Sequence, residues 1–306
     1  MLDIREDVPL APLTTFGIGG AAKYFVDVKT EDDMREAMHW AHDFDARFTI
    51  IAGGSNVLVP DRGIEGLVIH VCGDQSSFVG NELEADAGCN LLGLIHKAAE
   101  RGLGGWERLA GIPGTIGGAV RGNAGAFGTE IKDFVHQVKA INTNTGEMHM
   151  FTNAECGFKY RDSFFKQHPK WLITRAYLHL RKIDSAESAR LAKETIAERE
   201  KRHLQNIHAA GSYFMNPTAP KHIQEMFKRE KGAPARLGRV PAGWLIEKAG
   251  MKGATVGGAI ASLQHPNYIV NQGNATAKDV ETLADKVKIA VMSQFGVQLH
   301  EEAVVI

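Results

Sequence analysis

The sequence predicts a mixed helix-and-strand protein of two or three domains, built without a Rossmann dinucleotide fold. Its 306 residues exceed what a single core comfortably holds. Amphipathic helical patterns alternate with short β-rich runs and turn signals along the chain. The one stretch that mimics a dinucleotide fingerprint, Gly17-Ile18-Gly19-Gly20-Ala21-Ala22, stands in the wrong context. Such a fingerprint follows a strand and opens a helix. Here Pro12-Leu13-Thr14-Thr15, a poor strand, precede it, and Tyr24-Phe25-Val26-Asp27-Val28, a good strand, follow.

Hydrophobic residues make up 44% and charged residues 23%, which is the balance of a globular protein. A net charge of −1 gives no global electrostatic reason for nucleic acid or an anionic membrane as partner. No apolar run is long enough to span a bilayer. The first residues, MLDIREDVPLAPL, lack a basic stretch followed by an apolar one, so neither a signal peptide nor membrane insertion is expected. Cys72, Cys89 and Cys156 lie far apart without a CxxC pair, which fits a reducing cytoplasm and predicts small buried hydrophobes rather than a disulfide or zinc site. The thirteen histidines are scattered, and His39 and His42 have no third ligand beside them, so no metal is expected.

In chain order, Thr30 caps a helix with Met34, Ala37, Met38 and Ala41 on one face. The strand Phe48-Thr49-Ile50-Ile51 then runs into a glycine turn, Gly53-Gly54-Ser55-Asn56, at the end of a strand where α/β sheets bind ligands. A strand over 66–72 closes a small αβ unit. Asn90 caps a helix bearing Leu91, Leu94, Ile95 and Ala98, which stops at Gly102. Segments 134–142 and 147–151 flank an Asn-Thr-Gly turn as a hairpin, and 171–180 is a further strand. A charged helix over 185–203 reads as a connector. Helices over 222–229 and 243–249 follow, then a final helix with Thr276 as cap, Asp279 three residues on, and a stripe of Val280, Leu283, Val287, Ala290, Val291 and Phe295. A strand over 297–306 ends the chain.

Residues 111–128, GIPGTIGGAVRGNAGAFG, organise the rest. Seven glycines with Arg121 as the only charge offer little to a core but many backbone N–H groups to one object. Successive N–H groups form nests for anions such as phosphates, and the competing reading is a set of structural turns. A P-loop is excluded because no GK[ST] follows any glycine run, and a GxSxG elbow is missing. Tyr160-Arg161-Asp162-Ser163 sits among Phe158, Phe164 and Phe165; an arginine held by aromatics presents a planar fork to a carboxylate, unless an acid such as Asp162 takes it. Residues 221–239 carry six basic side chains against two acidic ones, either a solvated face or an anion site.

Taken together, these segments resemble the UDP-N-acetylenolpyruvoylglucosamine reductase family. The matching pieces are Thr14-Thr15-Phe16-Gly17-Ile18-Gly19-Gly20, Gly53-Gly54-Ser55-Asn56-Val57-Leu58, residues 111–128, Tyr160-Arg161-Asp162-Ser163, and Gly211-Ser212-Tyr213-Phe214 with Asn216-Pro217. Residues 242–250, AGWLIEKAG, and Asn267-Tyr268-Ile269-Val270-Asn271 complete the series, in the family's order over nearly the whole chain. The resemblance implies an α+β chain: a two-subdomain FAD-binding fold of the PCMH type over 1–72 and 73–205, and a C-terminal α+β domain over 206–306 for the UDP-sugar. It implies non-covalent FAD, with the pyrophosphate against Gly53, Gly54, Ser55 and Asn56 and against Gly111, Gly114, Thr115, Gly117, Gly118, Asn123, Ala124 and Gly125. It also implies a monomer.

The family's reaction begins with hydride transfer from NADPH to FAD. The enolpyruvyl sugar then takes that hydride at C3 of its enol ether, leaving carbanion character at C2 that is delocalised into the carboxylate. A cation on that carboxylate and a proton source at C2 are therefore required, and the resemblance gives these roles to Arg161 and Ser212. A C-terminal glutamate supports the intermediate or the protonation; the register from Leu299 selects Glu302, with adjacent Glu301 as the alternative. Substrate contacts are implied at Tyr160, Asn216 and Lys248. The chain departs from the family at Met215, where lysine is frequent, at Arg121, where an uncharged residue is frequent, in Leu299-His300-Glu301-Glu302-Ala303, and in a longer segment over 218–240. A flavin oxidase of the same fold acting on a sugar or lactone, and a non-catalytic UDP-sugar-binding homologue, are the competing readings.

Overall fold

A computed structural model describes residues 2–201 and 207–306. By packing they form two units. One contains the described residues up to Val8, Ala22–Gly54 and Glu65–Lys201; the other contains Pro9–Ala21, Ser55–Ile64 and the described residues from 207 onward. The expected boundary at 205/206, and the end of the helix expected to reach 203, lie outside the described residues.

The first unit holds two sheets. Strands β1 (Arg5–Pro9), β2 (Ala21–Val28), β3 (Phe48–Ile51) and β4 (Ile64–Val71) form a four-stranded sheet in the order β1-β2-β4-β3, with β3 and β4 parallel. Its inner positions Val26, Val28, Leu67, Ile69 and Val71 share a core with Met34, Ala37, Met38 and Ala41 of helix α1 (Glu31–Asp43). Thr30 caps α1 through a reciprocal pair with Asp33. Strands β5 (Ser76–Val79), β6 (Glu82–Asp86), β7 (Val135–Asn142), β8 (Met148–Thr152) and β9 (Trp171–His179) form an antiparallel sheet in the order β8-β7-β9-β6-β5. Helix α2 (Leu91–Ala99) buries Leu91, Leu94, Ile95 and Ala98 in the same core.

Two expectations are corrected here. The glycine run contains a helix, α3 (Ile116–Arg121), capped by Thr115 and burying Ile116, Ala119 and Val120. Three apolar side chains in six residues suffice once their neighbours are small enough to approach the sheet. The charged segment is no free connector. After the short helix α4 (Phe164–Gln167), helix α5 (Ser185–Lys201) packs on this unit through Ser188, Ala192 and Thr195, and Ser188 donates to Glu107 at 2.5 Å. Of the cysteines, Cys89 and Cys156 are buried as expected, with burial pushing their thiols up to about 11 and about 12, but Cys72 is only half-buried.

The second unit centres on helices α6 (Lys221–Lys231), α7 (Ala242–Lys248) and α8 (Ala277–Phe295) and a small antiparallel sheet of β10 (Thr255–Val256), β11 (Ala259–Ala261) and β12 (Ile269–Asn271). Two early segments belong to it. Asp61 accepts from Ala277 N and Lys278 N at the start of α8, and Asn271 Nδ2 donates to Phe16 O at 2.9 Å. A Cβ on Gly20 would lie 2.5 Å from Asp61 O, so this glycine of the false fingerprint serves a backbone crossing. The expected last strand is corrected as well. Val297, Leu299 and Ala303 alternate inward, but only Val304–Val305 join a ladder, parallel to Val57–Leu58. No helix among the described residues is long and apolar enough to cross a membrane.

Thr276 accepts from Asp279 N at 3.0 Å while Asp279 accepts from Thr276 N, and α8 supplies the longest stripe of this core. Thr276→Ala should cost about 0.5–2 kcal/mol of stability. It is measured as a lower midpoint in denaturant at unchanged slope, and an unchanged midpoint would contradict the capping role.

Candidate active site

In the first unit two glycine turns meet back to back. A Cβ built on Gly53 would lie 2.8 Å from Gly114 Cα and 3.3 Å from Thr115 N, so only glycine permits the approach. Gly54 and Gly114 have φ of 58° and 112°, conformations L side chains rarely adopt. Among the described residues, the N–H groups of Gly53, Gly54, Gly114 and Thr115 find no acceptor. Bare backbone donors around one point make a nest for an anion. The other glycines of the run do different work. Gly117 N donates to Ala87 O at 2.9 Å, and a Cβ there would lie 2.7 Å from Ala87 Cβ; Gly118 N donates to Thr115 Oγ1. Gly111 has φ of 79° and turns the chain into the run, and Ala124 N donates to Ala119 O. Asn123 is fully buried; its amide donates to Lys159 O at 2.8 Å and its Oδ1 accepts from Lys132 N.

Arg161 lies in the same unit with φ of 56°, a backbone state costly for arginine, in a turn closed by Lys159 N to Asp162 O and Asp162 N to Lys159 O. Its guanidinium donates to Gly125 O at 2.7 Å and stands 5.2 Å from the centre of the Tyr160 ring. Buried Ser163 donates to Arg121 O, which fixes this turn to the end of α3. Burial lowers the Arg121 guanidinium from its ordinary value.

In the second unit Ser212 is half-buried after Gly211, whose φ is 69°. Asn267 clamps the next residues: its carbonyl oxygens accept from Tyr213 N at 2.7 Å and Phe214 N at 3.0 Å, and its amide donates to Phe214 O. On the opposite side Met215 N donates to His300 O and Glu302 N to Tyr213 O, with Phe214 opposite Glu301. The serine segment and the C-terminal glutamates are thus neighbours. The two glutamates differ. Glu301 accepts from Lys288 of α8 at 2.6 Å, whereas Asn56 Nδ2 donates to Glu302 O at 3.0 Å. Burial, with Glu301, Glu281 and Asp285, raises the Tyr213 phenol, which stays protonated.

Ser55 and Asn56 belong to this unit, so the Gly-Gly-Ser-Asn turn straddles the boundary. Asn216 Oδ1 accepts from Ala242 N at the start of α7. Lys248 pairs with Glu230 at 2.7 Å beside Arg229, Met226 and Trp244. The pair takes up an acidic side chain of α6, and the helix's own basic side chains are not spent by it. Sequence reasoning assigned Asn267 to a motif but gave it no task; a buried asparagine between two backbone segments is legible only once those segments are adjacent.

Residues 22–152 match the model of an FAD binding domain, and 200–306 match that of UDP-N-acetylenolpyruvoylglucosamine reductase, C-terminal domain. These define a flavoprotein with a PCMH-type FAD-binding part and a C-terminal α+β domain, the fold class the motifs led us to expect. UDP-N-acetylenolpyruvoylglucosamine reductases of Solibacter usitatus and Carboxydothermus hydrogenoformans are 34% and 35% identical, over 98% and 99% of this chain and 96% and 94% of theirs. The crystal structure of the reductase from Thermus caldophilus superposes with a TM-score of 0.79 at 32% identity, covering 100% of this chain and 99% of that one. The chain belongs to the UDP-N-acetylenolpyruvoylglucosamine reductase family.

Proposed function

We propose that this protein reduces UDP-N-acetylglucosamine enolpyruvate to UDP-N-acetylmuramate with NADPH and bound FAD, as a cytoplasmic monomer supplying peptidoglycan precursors. The observation that carries the reading is the cradle of uncommitted N–H groups on Gly53, Gly54, Gly114 and Thr115, which suits the pyrophosphate of FAD. A hydrogen bond to a charged group is worth about 1.5–3 kcal/mol, so four such donors hold the cofactor without a covalent link. FAD held in this cradle would supply the hydride chemistry between NADPH and C3 of the enolpyruvyl group.

The chain's own residues handle the carboxylate and the proton. Arg161, held by Gly125 O and the Tyr160 ring, is the cation for the substrate carboxylate and stabilises charge delocalised from C2. Ser212 gives its hydroxyl proton to C2, with its backbone fixed by Asn267 and the 300–302 segment. Glu302 supports that protonation. Tyr160, Asn216 and Lys248 are proposed substrate contacts, and 1–72, 73–205 and 206–306 are the proposed functional parts.

Purified protein should be yellow and should oxidise NADPH catalytically when the enolpyruvyl substrate is supplied. Colourless protein that cannot be reconstituted with FAD contradicts the proposal, and rapid reoxidation by O₂ without substrate favours a flavin oxidase. The glutamates separate cleanly. Glu301→Gln should cost at most about 1 kcal/mol of stability through its half-exposed pair with Lys288, with turnover retained. Glu302→Gln should lose about 10²–10⁴-fold in turnover. The reverse pattern moves the role to Glu301.

A further inference from the structure

The outer face of the four-stranded sheet carries side chains that the proposed reaction does not use. On β2, Phe25 and Asp27 face away from core residues Val26 and Val28. At the end of β4, His70 and Cys72 face away from Ile69 and Val71. Cys72 N donates to Val28 O at 2.9 Å, which sets the two strand ends side by side. Asp27 Oδ1 lies 2.6 Å from His70 Nδ1 and 4.0 Å from Cys72 Sγ, and one ligand atom from each residue lies within 4.8 Å of the others. The other carboxylate oxygen, Oδ2, is held by Arg5 at 2.5 Å, and the Arg5 guanidinium stands 4.9 Å from the centre of the Phe25 ring. Asp27 is therefore clamped with Oδ1 turned toward the imidazole and the thiol.

We propose that Asp27, His70 and Cys72 form a binding site for one divalent cation of the zinc class. Thiolate and imidazole select this class over magnesium or calcium, which take oxygen ligands. Zinc bonds of about 2.0–2.3 Å in tetrahedral geometry put donor atoms about 3.3–3.8 Å apart. Separations of 2.6 to 4.8 Å bracket that range, so small side-chain rotations close the set without moving the strands. Thiolate, carboxylate and dication sum to zero charge with neutral imidazole, and Arg5 serves as the outer partner that orients the carboxylate. Three protein ligands leave the fourth position to water. Side-chain exposures of 42% for Asp27 and 21% for His70 give an ion access from solvent. The linear sequence hides the set because its members come from two strands 43 residues apart.

The test uses the holoprotein and Co²⁺ as probe. One equivalent should give the intense d–d bands of tetrahedral cobalt, at wavelengths longer than oxidised flavin absorbs. The bands should vanish in the Cys72→Ser/His70→Gln double variant with flavin content unchanged. Should that variant fail to fold, wild-type protein decides. Zn²⁺ at about ten times its dissociation constant should slow iodoacetamide labelling of Cys72 about tenfold, with buried Cys89 and Cys156 as unreactive references. Weak octahedral bands only, bands that persist in the double variant, or labelling of Cys72 indifferent to Zn²⁺ would overturn the site.

Discussion

Ser212→Ala should leave flavin reduction by NADPH at its wild-type rate and slow the reaction with the enolpyruvyl substrate about 10²–10⁴-fold, the usual weight of general acid catalysis. The geometry makes this a clean deletion. The backbone just after the hydroxyl, Tyr213–Met215, is held by Asn267, His300 and Glu302 through bonds to its main chain, none of which involves the serine side chain. The alanine variant therefore keeps the segment in place and loses only the proton donor. Stopped-flow absorbance of the two half-reactions separates the steps. An equal loss in both would mean that Ser212 shapes the flavin site instead of protonating C2.

Gly53→Ala should yield colourless protein. Its Cβ would stand 2.8 Å from Gly114 Cα and 3.3 Å from Thr115 N, and both are backbone, with no flexible side chain to swing aside. The two turns must separate, and the four N–H groups no longer converge. Losing two charge-assisted hydrogen bonds at about 1.5–3 kcal/mol each weakens FAD binding about 10²–10⁴-fold. Titration of the apoprotein with FAD, with circular dichroism to confirm the fold, measures the change. Stoichiometric FAD in the purified variant would move the pyrophosphate elsewhere.

Local signals carried much of this fold. Thr30, Asn90 and Thr276 each cap the helix expected of them, because capping needs only a side chain and the next three residues. Gly17-Ile18-Gly19-Gly20 could be refused as a fingerprint because the order of turn and strand is also local. Other features depend on distant partners. Nothing near residues 55–64 says that they leave one unit to cap α8 through Asp61, since that partner lies 216 residues away. Helix α3 was hidden by its own glycines, whose packing against Ala87 matters only once the sheet is in place. At the site, the resemblance supplied Arg161 and Ser212. The sequence left Glu301 and Glu302 one residue apart, and the pairing of Glu301 with Lys288 on α8 could not be read from either residue's neighbours.

The central claim is that one bound FAD takes a hydride from NADPH and gives it to the enolpyruvyl sugar. Anaerobic addition of NADPH to the purified protein should bleach the flavin absorbance, and subsequent addition of UDP-N-acetylglucosamine enolpyruvate should restore it in one turnover with formation of UDP-N-acetylmuramate. Flavin that bleaches but stays reduced until oxygen is admitted, with the enolpyruvyl sugar unchanged, would contradict the account.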